Sequence, residues 1–544
     1  MRIIVIGAVA AGTSAAAKAR RNNDMAEIVI YEKDINISYS GCGLPYFIGD
    51  DIKDISELTP RDPAFFKKKY NIDIKISHEV MSIDPKVKKL IIKELSTGEV
   101  FEDNYDKLVI STGANVFVPN IKGIDSENVF FIRNVRDAVR MKAFVDNNNP
   151  KEVIIAGSGF IGLEMVENMV HRGANVKLVE LKDNISPNLD KDMSVYLEKK
   201  IKEKGVEVVT SKSISAIDGK TVILSDRSVL DSDMIIMATG VRPNTKIAVE
   251  AGLAVGETGG IIVDEYMKTS TEDIYACGDC IETFSSITGR SVYQPLGSTA
   301  NKTGRIAGDA ITGGRLKYKG NLGTGIYRLF DLAVAKTGLT EKEAIANGYD
   351  VIVNHNIKPD KPAYFDGEEM LIKAIAERDT GRLLGAQIIG INGVDKRIDV
   401  LATLITYKAN VDELFHLDLA YSPAFSTTKD PIHYTGMILE NALYNERPLI
   451  TSEKIRGNEE EYQIVDARSN SDYTKKGHVR TANNHPHAEL RDHLKNLDPE
   501  KTTITYCNKG VTGNAAQNIL INHGFKKVYN LSGGHRFYKE TSEK

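Results

Sequence analysis

The 544 residues are too many for one hydrophobic core, and domains of about 100 to 200 residues imply three or four units. With 70 basic against 74 acidic residues, a net charge of −4 and no dense block of Lys or Arg, the chain lacks the electrostatic footprint of a nucleic-acid binder. Its 4 cysteines make no disulfide framework, and no stretch approaches the roughly 20 apolar residues that cross a bilayer, so the expectation is a soluble protein of the reducing cytoplasm.

The opening run Arg2–Ile6 is too short for the core of a secretory leader and reads as a first strand. The turn Gly7-Ala-Val-Ala-Ala-Gly12 follows, then an Ala-rich helical segment and a second strand ending at Glu32. That order seats a pyrophosphate on a helix N-terminus, and Glu32, 20 residues after Gly12, is placed for a ribose hydroxyl. The middle position of the usual G-x-G-x-x-G is Val9, so the first motif is imperfect.

A second unit has all three glycines, Gly157, Gly159 and Gly162, then a helix and a strand ending at Glu180. A carboxylate there hydrogen-bonds a 2′-hydroxyl and repels a 2′-phosphate, which favours NADH over NADPH, with Lys182 able to screen it and admit both. The strand ends Leu108–Gly113 and Met234–Gly240 mark passages between the two nucleotide units, and Asp279 follows another apolar run, Ile274–Cys277.

In this order, over roughly residues 1–450, the motifs resemble the two-dinucleotide-binding-domain flavoprotein disulfide reductases. The resemblance implies an α/β chain with a FAD-binding domain (1–113 and 241–320), an inserted NAD(P)H-binding domain (114–240) and an α+β dimerisation domain (321–448). FAD would use Gly7, Ala10, Ala11, Gly12, Glu32, Lys33, Thr112, Gly113, Asp279 and Ala300. NAD(P)H would use Gly157, Gly159, Ile161, Gly162, Glu180 and Gly240.

The cysteines decide which kind of reductase this is. Cys42 lies in Gly41-Cys42-Gly43, and the position five residues on, where a glutathione-reductase-like enzyme has its second cysteine, is Phe47. A lone thiol beside a flavin cycles as a sulfenic acid, a persulfide or a mixed disulfide. The sulfenic-acid option resembles NADH peroxidases and oxidases, whose first glycine turn carries a histidine; here that residue is Ala10, and no histidine precedes His78.

The pattern is similar to the coenzyme A disulfide reductases at Ser14, Lys18, Arg21, Ser38, Asn301 and Lys429, with Arg61 and Lys69 as further cations for coenzyme A phosphates. That resemblance also implies a homodimer in which Tyr421, and Tyr364 as its second, reach the partner's cysteine and donate protons. Cys277 and Cys280 form a C-x-x-C, but with no second pair to complete four ligands a metal site is not expected.

After a polar linker (449–460), residues 461–544 resemble a rhodanese domain through Asp466-Ala-Arg468, Gly477-His478 and Cys507-Asn-Lys-Gly510. A backbone nest and a helix N-terminus at Cys507 would stabilise a persulfide. Asn508 and Thr512 stand where thiosulfate-handling loops commonly carry arginines. The expectation is a reductase of coenzyme A disulfide, persulfide or polysulfide fused to a sulfur carrier. The alternatives are an NADH oxidase or peroxidase, or a redox-sensing flavoprotein.

Overall fold

The computed structural model describes residues 1–542. By contact the chain divides into two compact units, Met1–Leu181 with Val206–Asn321, and Lys182–Gly205 with Leu322–Lys544.

In the first unit two five-stranded parallel sheets repeat one pattern. One runs Ile274–Ala276, Lys107–Ile110, Arg2–Ile6, Glu27–Tyr31, Asp73–Lys75. The other runs Val129–Phe130, Met234–Met237, Glu152–Ala156, Asn175–Val179, Glu207–Val209. In each, the strand that opens the motif lies centrally and is buried nearly throughout, which explains why these strands read as unbroken apolar runs. A helix follows it directly, Ala10–Asn22 in one case and Phe160–His171 in the other.

In the second unit, Gly325–Leu329, Leu332–Gly338, Leu383–Gly390, Glu369–Glu377 and Val351–Pro359 form an antiparallel sheet. A parallel sheet follows in the order Leu449–Ile450, Val528–Leu531, Thr503–Tyr506, Gln463–Asp466, Asn483–Asn484.

Residues 449–460 are therefore not the linker expected from their polarity. Leu449–Ile450 adds an edge strand to the C-terminal sheet, Ile455 is fully buried, and the Arg456 guanidinium donates to the carbonyls of Tyr538 and Thr541 at 2.8 and 2.9 Å. A two-residue strand has no periodicity to read, and the exposed polar residues Glu453, Lys454, Asn458 and Glu460 mask the buried Ile455 and the paired Arg456 and Glu459 among them.

The second unit is pinned by a buried charge cluster. Lys373, opposite His355 in the antiparallel register, places its ammonium 2.9 Å from Asp192, 3.2 Å from Asp190 and 2.8 Å from Glu341, with a side chain 1% exposed. His355 Nε2 meets Asp192 at 2.7 Å, its Nδ1 lies 3.0 Å from Ser532 Oγ, and its ring stacks on Phe537 at 4.3 Å. Burial alone would raise the Asp192 carboxyl, but Lys373 and His355 more than reverse that and hold it well below the usual carboxylate range. The cluster joins the 182–205 segment, the antiparallel sheet and the C-terminal sheet.

Lys373→Met leaves Asp190 and Asp192 buried without their cation, and breaking such a pair costs roughly 3 to 5 kcal/mol. Thermal unfolding followed by circular dichroism should show a large drop in the stability of this unit. A shift of a degree or two would contradict the assignment.

Candidate active site

Gly7 and Gly157 have φ of 102° and 103°, left-handed values that favour glycine. A Cβ on Gly12 would stand 1.9 Å from the Gly7 carbonyl oxygen, and one on Gly162 would stand 2.0 Å from that of Gly157. The first and third glycines are thus demanded by the packing of helix on strand. The middle position differs, because a Cβ on Gly159 meets nothing within 4 Å. This explains why Val9 is tolerated at the equivalent place in the first unit.

Neither helix has a side-chain cap or an acidic residue in its first turn, so the leading N–H groups are open to an anion. Glu32 accepts the Ala8 N–H at 2.7 Å and the Asp34 N–H at 2.9 Å, and burial pushes its carboxyl up despite these bonds. Glu180 repeats the arrangement, accepting the Ser158 N–H at 2.8 Å and its hydroxyl at 2.5 Å. Each acid ties the end of its strand to the glycine turn.

A cavity of about 360 Å³ in the first unit is lined by Gly7, Ala10, Ala11, Glu32, Lys33, Thr112, Gly113, Asp279 and Ala300. The structure thus brings the expected flavin residues together, apart from Gly12, whose part is the close approach to Gly7. Uncapped N–H groups, a glycine cradle and an acid at the strand end fit a dinucleotide. Gly157, Gly159, Ile161, Gly162, Glu180 and Gly240 gather at the corresponding end of the second sheet, where Gly157 donates to the Val179 carbonyl at 2.8 Å.

Sequence reasoning missed Arg133. It lines the same cavity, ion-pairs with Asp279 at 2.8 Å and donates to the Ala114 carbonyl at 2.8 Å. No spacing rule marks it, because the fold alone carries its loop to the strand ends.

Cys42 sits exposed in the 3-10 turn Gly41–Gly43, with Phe47 buried in the short helix Leu44–Ile48 after it. Although the residue meets solvent, desolvation of its sulfur is the main cause pushing the thiol up; the carboxylates of Glu164 and Asp279 add to this and Arg133 opposes it. Cys277 and Cys280 are fully buried free thiols, also pushed up by burial, and Cys280 donates to the carbonyls of Ile110 and Cys277.

The residues expected to meet coenzyme A fall into separate groups. Ser14 donates to Asn301 at 2.8 Å. Arg61 and Lys69 both lie over the Phe65 ring, at 5.6 and 5.2 Å. Arg21 is exposed, and Ser38 has a φ of 48°. Lys18, expected as a coenzyme A contact, is ion-paired with Asp309 at 3.0 Å.

In the second unit Tyr364 and Tyr421 are 74% and 51% exposed. Tyr364 tops the turn between Val351–Pro359 and Glu369–Glu377; Tyr421 precedes the helix Pro431–Tyr444. One buried arginine supports both segments. Arg397 Nη2 donates to the Asp360 carbonyl at 3.0 Å, to Ser426 Oγ at 3.2 Å and to Asp430 at 2.7 Å, next to Lys429.

Cys507 follows the strand Thr503–Tyr506 and precedes the helix Val511–Asn522. The Gly510 N–H points at Cys507 Sγ at 3.2 Å, with Gly510 at φ 100°. The loop carbonyls of Cys507 and Asn508 accept the N–H groups of His535 and Arg536 at 2.8 and 3.1 Å. The loop thus presents one backbone donor to the sulfur, where the sequence reading expected several.

A family model described as pyridine nucleotide-disulphide oxidoreductase matches residues 1–300, its dimerisation domain matches 326–431, and a rhodanese-like domain matches 452–541. An NADH oxidase of Methanocaldococcus jannaschii is 36% identical over 81% of this chain and 99% of its own length. A CoA-dependent NAD(P)H sulfur oxidoreductase of Pyrococcus furiosus is 34% identical, with the same two coverages. Two solved structures match over the whole length. Reduced Bacillus anthracis CoADR-RHD has a TM-score of 0.97 at 37% identity, covering 99% of this chain and 98% of that one. The NAD-dependent persulfide reductase from A. fulgidus has a TM-score of 0.92 at 35% identity, covering 99% and 100%.

Glu164→Gln removes a negative charge that disfavours the Cys42 thiolate. The pH profile of Cys42 alkylation by iodoacetamide should move to lower pH, with faster reaction at neutral pH. An unchanged profile would show that Glu164 does not act on this sulfur.

Proposed function

Since the chain belongs to the pyridine nucleotide-disulphide oxidoreductase family, an FAD- and NAD(P)H-dependent family of oxidoreductases, we propose that it reduces coenzyme A disulfide, coenzyme A persulfide or polysulfide at Cys42, with Cys507 carrying the sulfane sulfur. The observation that carries this reading is the pairing, in one chain, of a lone Cys42 that has Phe47 where a second cysteine would stand with a cradled Cys507. Two full-length structural relatives, titled CoADR-RHD and persulfide reductase, support it.

The dinucleotides would occupy the two glycine cradles, with Glu32 and Glu180 at the strand ends and Lys33, Thr112, Gly113, Asp279 and Ala300 around the flavin. Arg133 would hold Asp279 in place. When bound, FAD passes an electron pair from NAD(P)H to sulfur. The Cys42 thiolate attacks a sulfur of the substrate, an S–S bond to Cys42 forms as the substrate S–S bond breaks, and the leaving thiolate takes a proton from Tyr421 or Tyr364, contributed across a homodimer; the electron pair would then cleave the Cys42 S–S bond, restoring its thiolate and freeing the second sulfur product. The dimerisation domain supports that assembly. Ser14, Asn301, Arg61, Lys69, Arg21, Ser38 and Lys429 would contact coenzyme A, while Lys18 would act mainly through Asp309.

We assign FAD binding to 1–113 and 241–320, NAD(P)H binding to 114–240 and dimerisation to 321–448, and place the enzyme in the cytoplasm. No helix among the described residues is long and apolar enough to cross a membrane. The name of the M. jannaschii relative keeps an oxidase reading in view, with Cys42 cycling through sulfenic acid. Ala10, standing where that chemistry has a histidine, speaks against it.

Mass spectrometry of the purified protein should find Cys42 holding coenzyme A that reductant releases. Cys42→Ser should abolish NADH-dependent disulfide reduction, and Tyr421→Phe with Tyr364→Phe should lower kcat by about 100-fold, the scale of general acid catalysis. Faster turnover of peroxide than of any coenzyme A disulfide or persulfide, with Cys42 as a sulfenic acid, would select the oxidase reading.

A further inference from the structure

The Cys507 loop has a charge problem that its own residues do not solve. A persulfide on Cys507 is an anion, and the loop from Cys507 to Gly513 contains one cation, Lys509. Lys509 does not stand free, because it and Arg536 are both ion-paired to Glu369, the first residue of the strand Glu369–Glu377. Arg468 is buried against Asp466, which it contacts at 2.5 Å, and donates to the Gly477 carbonyl. Burial pushes His535 down to about 4, so it is neutral at neutral pH.

One more cation belongs to this neighbourhood, and it comes from outside the rhodanese-like match. Lys358 lies near the end of the strand Val351–Pro359, opposite Met370 and one residue before the Pro359–Glu369 pair. The clasp from Glu369 to Lys509 thus holds this end of the hairpin against the Cys507 loop. The Lys358 ammonium sits 3.8 Å from the centroid of the Tyr434 ring, half-buried, with no carboxylate in ion-pair reach among the described residues. Burial pushes that ammonium down from its ordinary value, the charge of the Cys507 sulfur pulls it back up, and Lys429 pushes it down again. Tyr434, over which the Lys358 ammonium lies, lines one cavity with Lys509 and Gly510, and the Gly510 N–H meets the Cys507 sulfur, so the ammonium and the sulfur belong to one neighbourhood.

We propose that Lys358, a residue of the dimerisation sheet, is the cation that stabilises the anionic sulfur of Cys507, taking the part that loop arginines would otherwise play. The proposal rests on the reading of Cys507 as a sulfur carrier and is independent of the flavin chemistry. In the step it serves, the Cys507 thiolate attacks the outer sulfur of a donor persulfide, R–S–SH. The donor S–S bond breaks, a new S–S bond forms on Cys507, and the departing RS⁻ takes the donor's proton. One negative charge passes from the Cys507 thiolate to the Cys507 persulfide, and Lys358 faces it before and after transfer. The rhodanese-like domain is completed by a residue of its neighbour, so its sulfur chemistry depends on the two being docked.

The test is iodoacetamide alkylation of the full-length holoenzyme across pH, with Cys507 followed separately from Cys42 by peptide mass spectrometry. Lys358→Met should slow Cys507 alkylation at neutral pH by about tenfold, the effect of one unit in a thiol's titration, and move the profile to higher pH. Lys358→Arg should restore it. Glu369→Gln, which frees Lys509 and Arg536, should move the profile the other way. Should the Met variant fail to accumulate, Lys358→Gln makes the same measurement. A Lys358→Met profile that overlays the wild type, or an Arg variant as slow as the Met variant, would overturn the proposal. If these shifts appear but wild-type Cys507 takes no sulfur from a donor persulfide, the sulfur-carrier reading fails instead.

Discussion

The nucleotide sites depend on one repeated contact, the backbone of Gly12 against the carbonyl of Gly7 and that of Gly162 against Gly157. With no Cβ at the third glycine, the helix begins almost on top of the strand that precedes it. Its uncapped N–H groups then open beyond the strand end, and the acid of the next strand closes the turn from the other side. A methyl group at either position would push the helix off and take the anion site with it. The contact recurs with nearly the same numbers in two sheets of the same strand order, so one solution has been used twice.

The second unit depends on electrostatics of another kind. A fully buried lysine with three carboxylates around it is costly unless every partner is in place, and its partners come from two separate stretches of chain. Such a cluster is weak evidence for net stability, but it is strict about arrangement, since losing any one member leaves a buried charge uncompensated. His355 extends the cluster to Ser532, next to the glycines whose following N–H groups hold the Cys507 loop. The antiparallel sheet and the Cys507 loop are therefore fixed by one polar network.

What was legible in the sequence is what local geometry dictates. The glycine spacings, the acids at the strand ends and the Cys507 nest all follow from turn and helix-terminus chemistry within about 30 residues of chain. Val9 reads as a defect in the first motif until the structure shows that the middle position faces open space. Arg133, Arg397, Glu369 and Lys358 were invisible for the opposite reason, since each acts on residues brought to it only by the fold. Residues 449–460 misled because a two-residue edge strand carries no pattern, and the contacts that tie the segment down, the buried Ile455 and the Arg456 guanidinium on distant carbonyls, lie between exposed polar residues.

The two thiols of the proposed sulfur pathway are treated differently by the chain around them. Cys42 has the carboxylates of Glu164 and Asp279 nearby, partly offset by Arg133, and the groups that this chain supplies disfavour its anion. Cys507 has a backbone N–H at its sulfur and a helix beginning four residues beyond it. A thiol whose anion the protein disfavours suits a site where negative charge is meant to appear only as electrons and substrate arrive. A thiol with a backbone donor aimed at its sulfur suits a site that handles a charged sulfur. The surroundings of the two cysteines thus differ in kind, carboxylates near Cys42 against a backbone donor at Cys507.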